Sequence, residues 1–159
     1  MRRTILLGAL AALTLAALNL GAAGYAAAPT ITASEAWARP TPPGAPTGVV
    51  YVTLHNRGPG DSLVSASSPA AAKAEFHTMS MVGGVMHMAP VIFAIPIATN
   101  GAIHFNPSGM HIMLTGLKAP LKAGSHVRVV FNFAKAGAVA VDVPVRNSAP
   151  AAPMAGMKM

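Results

Sequence analysis

The 159-residue chain contains no cysteine and only four acidic residues. Without thiolates it can form neither a disulfide framework nor the cysteine-ligated zinc, iron–sulfur and blue-copper centres. The few acids include no paired carboxylates, and no nucleophile motif accompanies them, so hydrolytic chemistry has little to build on. The composition therefore predicts a protein that is neither an enzyme nor an electron carrier and whose fold depends on its apolar core.

The one long apolar run lies at the N-terminus. Two arginines follow the first methionine, the run extends from Ile5 to Leu20, and small residues come after it, which is the order of a secretory signal peptide. The run is short for a membrane span, which needs about 20 apolar residues. We expect residues 1–26 to be a cleaved signal peptide, residues 29–147 to form one domain, and residues 148–159 to be a flexible tail rich in methionine. An uncleaved membrane segment is the alternative at the N-terminus.

Basic residues outnumber acidic ones, with a formal net charge of +7, or +5 after removal of the signal peptide. The remaining basic residues are scattered, without the clusters and interleaved aromatic residues of a nucleic-acid surface. We therefore expect no nucleic-acid partner and no stable membrane insertion after signal cleavage. The basic surface could steer the protein toward acidic partners, but it specifies none.

Glycine and proline divide the rest of the chain into many short segments rich in β-branched residues. The clearest candidate strand spans residues 126–133. Val127, Val129 and Phe131 alternate there with residues of the other face. Residues 39–46 contain too many prolines for a central strand and predict an extended loop over a sheet edge. Without a convincing amphipathic helix, the pattern predicts an all-β sandwich or barrel. The predicted strands are 31–37, 48–55, 62–66, 74–79, 85–88, 103–105, 112–114, 126–133 and 138–145.

Ten methionines are a high number for this length. Methionines that fill a core would be spread over all strands, so their grouping beside turns favours ligation of a soft metal ion. Core packing stays the alternative for each of them. Apart from Met1, the groups are Met79, Met81, Met86 and Met88; Met110 and Met113; and Met154, Met157 and Met159.

Two histidines accompany the first two groups. His77 is two positions from Met79, and His111 is two positions from Met113, so on strands each pair lies on one sheet face. A hairpin of residues 77–81 and 85–88 brings His77 and Met88 onto neighbouring strands. Imidazole and thioether ligands together favour Cu(I).

The other histidines and Met86 have weaker or open assignments. Met86 shares the face of Met88, so either of them can point toward the metal ion. His87 points to the opposite face. Lone histidines are more often structural or exposed than ligands, and this applies to His55, His104 and His126.

The segments from His77 to Val91 and from Met110 to Leu121 strongly resemble the periplasmic copper chaperones of the PCuAC family. The signature of that family is a histidine, ten residues, a methionine, about twenty-one residues and then His-x-Met. Here ten residues separate His77 from Met88, and twenty-two separate Met88 from His111, which indicates one inserted residue in the loop through residues 98–102. The resemblance extends to the segments 36–44, 67–72 and 141–145.

The resemblance implies a cupredoxin-like β-barrel in which residues 29–147 bind Cu(I) in a shallow site near the surface. It implies delivery of copper in the periplasm toward the dinuclear copper centre of cytochrome c oxidase, through the copper-bearing subunit or a Sco-type protein. The alternatives are a periplasmic copper buffering or tolerance protein and an exported structural β-sandwich without metal. The implied ligands are His77, Met88, His111 and Met113; auxiliary candidates are Met79, Met86 and the tail residues Met154, Met157 and Met159, which could hold a second copper ion.

Overall fold

The computed structural model describes residues 30–150, which fold into ten strands of one nearly closed, barrel-like sheet. The all-β prediction is confirmed. Within the described range, no helix is long and apolar enough to cross a membrane. The predicted signal peptide, Met154, Met157 and Met159 lie outside that range. The strands are β1 (Ile31–Ala38), β2 (Thr47–Asn56), β3 (Asp61–Ser67), β4 (Ala71–Val82), β5 (Val85–Pro90), β6 (Ile95–Ile97), β7 (Ala102–Phe105), β8 (His111–Leu117), β9 (His126–Phe133) and β10 (Gly137–Pro144).

The main path of the sheet has the order β1-β2-β8-β4-β3-β9-β10, while β5, β6 and β7 pair with β4, β3 and β2. The two ends of this path meet. Ala38 of β1 forms a parallel bridge with Val145, and the N–H of Arg146 donates to the carbonyl of Ala38 at 2.9 Å. These contacts join the last strand to the first and enclose one core.

The core lies against one face of each strand. On β9 the alternation predicted from the sequence is observed, because Val127, Val129 and Phe131 are buried. Burying an apolar side chain of this size stabilises the fold by about 1.5–3 kcal/mol. Phe76 of β4 and Ile112 of β8 face the same core. The residues that alternate with them on these two strands therefore project from the opposite face of the sheet.

All nine predicted strands are present, most of them longer than predicted. The sequence pattern does not predict β6, because it has only three residues and Pro96 lies at its centre. The segment 39–46 contains no strand, as its prolines indicate. The largest extension is in β4, whose last residues continue into a hairpin with β5.

Asp61 connects the start of β3 with the turn after β9. Its carboxylate accepts hydrogen bonds from the backbone N–H groups of Ser62 (2.7 Å), Lys135 (2.9 Å) and Ala136 (2.8 Å). Burial opposes ionisation, but these donors hold the pKa of Asp61 below its usual value. The resulting stabilisation is present above the usual pKa of about 4 and is lost as the pH falls through the lower folded value.

We expect Asp61→Ala to lower the free energy of unfolding by about 2–4 kcal/mol at pH 7, because three backbone N–H groups lose a charged acceptor. Urea unfolding measures this loss. Asp142→Ala is the matched control, since Asp142 pairs with Arg128 at 2.9 Å on the exposed surface and such pairs contribute little. Equal losses in the two variants would contradict the role assigned to Asp61.

Candidate metal centre

The predicted histidines lie side by side on neighbouring strands. His77 of β4 is the register partner of His111 on one edge and of Pro90 of β5 on the other edge. Directly paired residues point to the same face of a sheet, so both imidazoles project from the face opposite Phe76 and Ile112. The pairing of β4 with β8 therefore creates the two-histidine element that strand periodicity alone could only suggest.

The two imidazole rings are close and nearly parallel. Their centroids are 5.9 Å apart and their planes differ by 19°. His111 is only 3% exposed, whereas His77 is half-buried. The two imidazoles are thus adjacent on one face of the sheet, which makes them candidate ligands of one metal ion.

The nitrogen atoms of the pair are poorly supplied with hydrogen-bond partners. Nδ1 of His77 is buried and has no partner among the described residues. An unpaired buried polar atom costs about 1–3 kcal/mol, which a bound metal ion would offset. Nδ1 of His111 lies 3.5 Å from the carbonyl oxygen of Gly109, which is a long contact. It leaves Nε2 of His111 available to bind a metal ion. The pair therefore fits a metal ion better than it fits a closed hydrogen-bond network.

His111 is held in the protonation state that a metal ligand needs. Burial lowers its pKa, and the neighbouring His77 lowers it further, while the contact with the Gly109 carbonyl acts in the opposite direction. The net pKa lies below the usual value of 6.5. A neutral imidazole presents a free lone pair, so binding of a metal ion at neutral pH displaces no proton from His111.

This lowered pKa predicts how the stability of the protein without a bound metal ion depends on pH. Above about pH 6.5 His111 is neutral in the folded and unfolded states and has no effect. As the pH falls below that value, the unfolded state binds a proton first, so stability decreases until the folded pKa is reached. The urea concentration at the unfolding midpoint should decrease between pH 7.5 and pH 5.5, and this decrease should be larger in the wild type than in His111→Gln. His87→Gln, at an exposed site, should behave like the wild type. A decrease in His111→Gln as large as that of the wild type would contradict the role assigned to the burial of His111.

Met113 lies beside the histidine pair, two residues after His111 on the same face of β8. Its register partners are Glu75 of β4 and Val49 of β2. Met113 is half-buried, yet within the described range it is not among the residues packed against the core, whereas Met110 is. Met110 thus packs against the core, and the thioether of Met113 is available to bind a metal ion.

The β4–β5 hairpin has the predicted turn. Gly83 and Gly84 both have positive φ, +58° and +79°, which suits a two-residue hairpin loop and which glycine adopts without strain. This turn fixes a register in which Met79 faces Met88 and Met81 faces Met86. All four methionines therefore share the sheet face that carries His77.

The register separates the two candidates that sequence periodicity left equivalent. Met88 is the diagonal neighbour of His77, at a typical separation of about 7–8 Å, whereas Met86 is one pair farther along the hairpin. Met79 is also adjacent to His77, on the same strand. Met88 and Met113 approach the histidine pair from opposite sides of β4, so the structure does not place these two thioethers next to each other.

The remaining histidines have other positions. His87 faces Ser80 on the opposite face of the hairpin and is exposed, as is His126. His55 hydrogen-bonds to the hydroxyl of Ser34 at 2.8 Å, and His104 lies 3.3 Å from that of Thr53. Between residues 30 and 150, no three His, Asp or Glu side chains form a metal-binding group.

Glu75 is a charged neighbour of the site that the sequence pattern did not single out. It faces Met113 and lies two residues before His77, so its carboxylate is on the same face as the two histidines. The two-residue spacing between Glu75 and His77 on a predicted strand is a signal in the sequence that could have identified it. Its carboxylate is exposed and places a negative charge beside the site.

The family model "Putative lipoprotein LpqE-like" matches residues 31–145, which include all ten strands of the described range and the candidate ligands His77, Met88, His111 and Met113. The chain belongs to the LpqE-like family. A relative, "Putative lipoprotein Lxx21020" from Leifsonia xyli subsp. xyli (strain CTCB07), is 31% identical over an alignment of 151 residues, which covers 87% of this chain and 90% of that protein.

Solved structures similar to this LpqE-like chain are PCuAC domains and a protein from Deinococcus radiodurans. The copper-bound PCuAC domain from PmoF2 has a TM-score of 0.61 and 21% identity over 75% of this chain and 94% of its own. Apo-DR1885 has a TM-score of 0.57 and 27% identity, with 93% of this chain and 97% of its own chain covered. CuI-DR1885 has a TM-score of 0.58 and 29% identity, with 79% of this chain and 83% of its own chain covered. The resemblance to the PCuAC family and the cupredoxin-like fold are confirmed.

Proposed function

We propose that this LpqE-like protein binds one Cu(I) ion as cargo and transfers it to another protein. The observation that carries the proposal is the cross-strand pair of His77 and His111, with a neutral buried imidazole and an unpartnered Nδ1. Met88 and Met113 complete the proposed ligand set. The copper-bound state of the similar PmoF2 domain and the CuI form of DR1885 support the choice of metal.

The donor set suits Cu(I) in particular. Two thioethers and two imidazoles are soft or borderline ligands, and none of them carries a charge. A site of this kind binds Cu(I) without the thiolates that oxidise in an oxidising compartment. Met88 is about half exposed, so a ligand from a recipient protein can replace it first and the ion can leave by stepwise exchange.

The proposed location is the periplasm. The signal-peptide pattern of residues 1–26 supports export, and the names of the family and of the relative from Leifsonia xyli refer to lipoproteins. Ligand exchange makes and breaks only coordinate bonds, so the proposed function needs no catalytic residue. It also involves neither nucleic acid nor insertion of the described domain into a membrane.

The proposed recipient is the dinuclear copper centre of cytochrome c oxidase, reached through its copper-bearing subunit or through a Sco-type protein. The resemblance to periplasmic copper chaperones supports this destination. Copper buffering or tolerance is the alternative that uses the same ligands. The two differ in whether the bound ion moves to an acceptor faster than it dissociates into solution.

A transfer experiment tests the proposal. The purified protein is titrated anaerobically with Cu(I) against a chromophoric chelator and is then mixed with the copper-binding domain of the oxidase subunit or of a Sco-type protein. We expect the protein to withhold one equivalent from the chelator and to release it to the acceptor. Failure to withhold copper would overturn the copper-binding proposal; retention of copper in the presence of both acceptors would favour buffering.

We also propose that the tail methionines Met154, Met157 and Met159 hold a second copper ion. Three thioethers within six residues can bind one soft ion. Deletion of residues 150–159 should lower the copper stoichiometry measured by dialysis and metal analysis. An unchanged stoichiometry in the deletion variant would refute a tail site without affecting the histidine site.

A further inference from the structure

The outer half of the β4–β5 hairpin places apolar side chains in solvent. Met81 is 65% exposed and Met86 is 54% exposed, and neither packs against the core formed by the described residues. A single exposed apolar residue needs no explanation. Here, however, the exposed methionines are paired across the hairpin and share one face with Met79, so they form a cluster rather than a scatter.

The hydrogen-bond pattern of the hairpin brings the paired methionines especially close. The N–H of Val91 donates to the carbonyl of Phe76 at 2.8 Å, which makes these two residues a hydrogen-bonded pair. Hydrogen-bonded and non-hydrogen-bonded pairs alternate along an antiparallel ladder, so Met81 and Met86 form a non-hydrogen-bonded pair. Cα atoms in such pairs are only about 4.5 Å apart and the side chains are correspondingly close.

Met79 supplies a third thioether to this pair. It is two residues from Met81 on β4 and is the diagonal neighbour of Met86, at a typical separation of about 7–8 Å. Methionine side chains are long and flexible enough to converge over this distance. The Gly83-Gly84 turn sets the register of the three residues.

We propose that Met79, Met81 and Met86 form a second, all-thioether site for a soft monovalent cation, Cu(I) or Ag(I), on the outer half of the hairpin. Thioethers select such ions over Zn²⁺, Ca²⁺ and Mg²⁺, which prefer harder ligands. None of the three side chains titrates, so protons do not compete for the site. The site shares no donor with the proposed histidine site, although Met79 faces Met88 across the hairpin.

The test uses Ag(I), which does not change oxidation state, and the full chain carrying His77→Ala and His111→Ala. Two-dimensional spectra of methionine labelled with ¹³C at the methyl group are recorded during an Ag(I) titration at pH 5.5. We expect the signals of Met79, Met81 and Met86 to shift together along one common binding curve, whether or not the tail methionines Met154, Met157 and Met159 bind a further ion. The signal of Met110, which packs against the core, should not move.

Two further variants in the same background make the test specific. Met81→Leu with Met86→Leu keeps the apolar surface but removes two donors, and it should weaken Ag(I) binding at the hairpin by at least about tenfold. Val82→Ala with Val85→Ala alters the pair next to the turn on the opposite face and should leave the affinity unchanged. Unshifted hairpin signals, or equal affinity in the methionine-to-leucine variant, would overturn the proposal.

The outcome is distinguishable from that of the proposed function. In the protein with both histidines, Met81→Leu with Met86→Leu should leave the affinity for the first equivalent of Cu(I) unchanged. Loss of that first equivalent would show that the outer methionines belong to the histidine site, and it would overturn the existence of a separate site. Failure of the histidine site itself would appear in the unaltered protein, whatever the hairpin binds.

Discussion

His111→Ala is expected to weaken binding of Cu(I) at pH 7 by at least about 100-fold. Removing a residue that merely orients a metal ligand typically costs 10–100-fold, and His111 is proposed to be a ligand itself. The substitution also removes the ring that faces His77 across the ladder, so the remaining imidazole must bind with thioethers alone. Anaerobic competition with a chromophoric Cu(I) chelator measures the change.

His87→Ala is the control for this substitution. His87 lies on the same hairpin as the candidate methionines, but it faces Ser80 on the other side of the sheet and is exposed. Its replacement should leave the affinity within about twofold of the wild type, a difference of less than 0.5 kcal/mol. Similar weakening by both substitutions would show that general properties of the surface, not the opposed imidazoles, hold the ion.

Met88→Leu is expected to weaken Cu(I) binding by about 10–100-fold, whereas Met86→Leu should change it by less than about threefold. The two residues have nearly equal exposure, 51% and 54%, and they lie on the same face of the same strand, so they are matched in exposure and orientation but differ in their distance from His77. Leucine keeps the apolar volume and removes the sulfur. Titration with less than one equivalent of Cu(I) restricts the measurement to the tightest site.

Met79→Leu completes this series, because Met79 is adjacent to His77 and directly faces Met88. If Met88 is the ligand, Met79→Leu should have an effect between those of the other two variants, through altered packing beside the bound thioether. A larger loss in Met79→Leu than in Met88→Leu would reassign the ligand to β4. A larger loss in Met86→Leu would contradict the register argument altogether.

The strand pattern and the hairpin could be predicted because they depend on local sequence. The alternation of Val127 and Val129 with exposed residues and the Gly83-Gly84 turn each involve residues only a few positions apart. Strand periodicity likewise predicted correctly that His111 and Met113 share a face. β6 escaped prediction because three residues around Pro96 are too short a segment for any alternation to be recognised.

The opposition of His77 and His111 could not be derived from the residues in this way. These residues are 34 positions apart, and their pairing depends on which edge of β4 receives β8 when the barrel closes. The different positions of Met110 and Met113 could not be derived from the sequence either. Both are apolar and lie near the start of β8, but only the position of the core shows that Met110 packs against it.

The additional residue between Met88 and His111 is compatible with the geometry of the site. The loop proposed to contain it lies at the far end of β2, where the carbonyl of Gly101 accepts from the N–H of Asn56 at 2.9 Å. Asn56 is seven residues from Val49, the partner of Met113, which corresponds to about 23 Å along a strand. A residue inserted there leaves the pairing of β4 with β8 unchanged.

X-ray absorption at the copper edge tests the central claim most directly, because it reports the donor atoms around the ion itself. The protein is loaded with about half an equivalent of Cu(I), so that only the tightest site is filled. The proposed ligand set predicts two imidazole nitrogens and two thioether sulfurs around copper, and loss of one nitrogen in His111→Ala. A coordination shell without sulfur, or one of sulfur alone in the unaltered protein, would contradict a site built from His77, Met88, His111 and Met113.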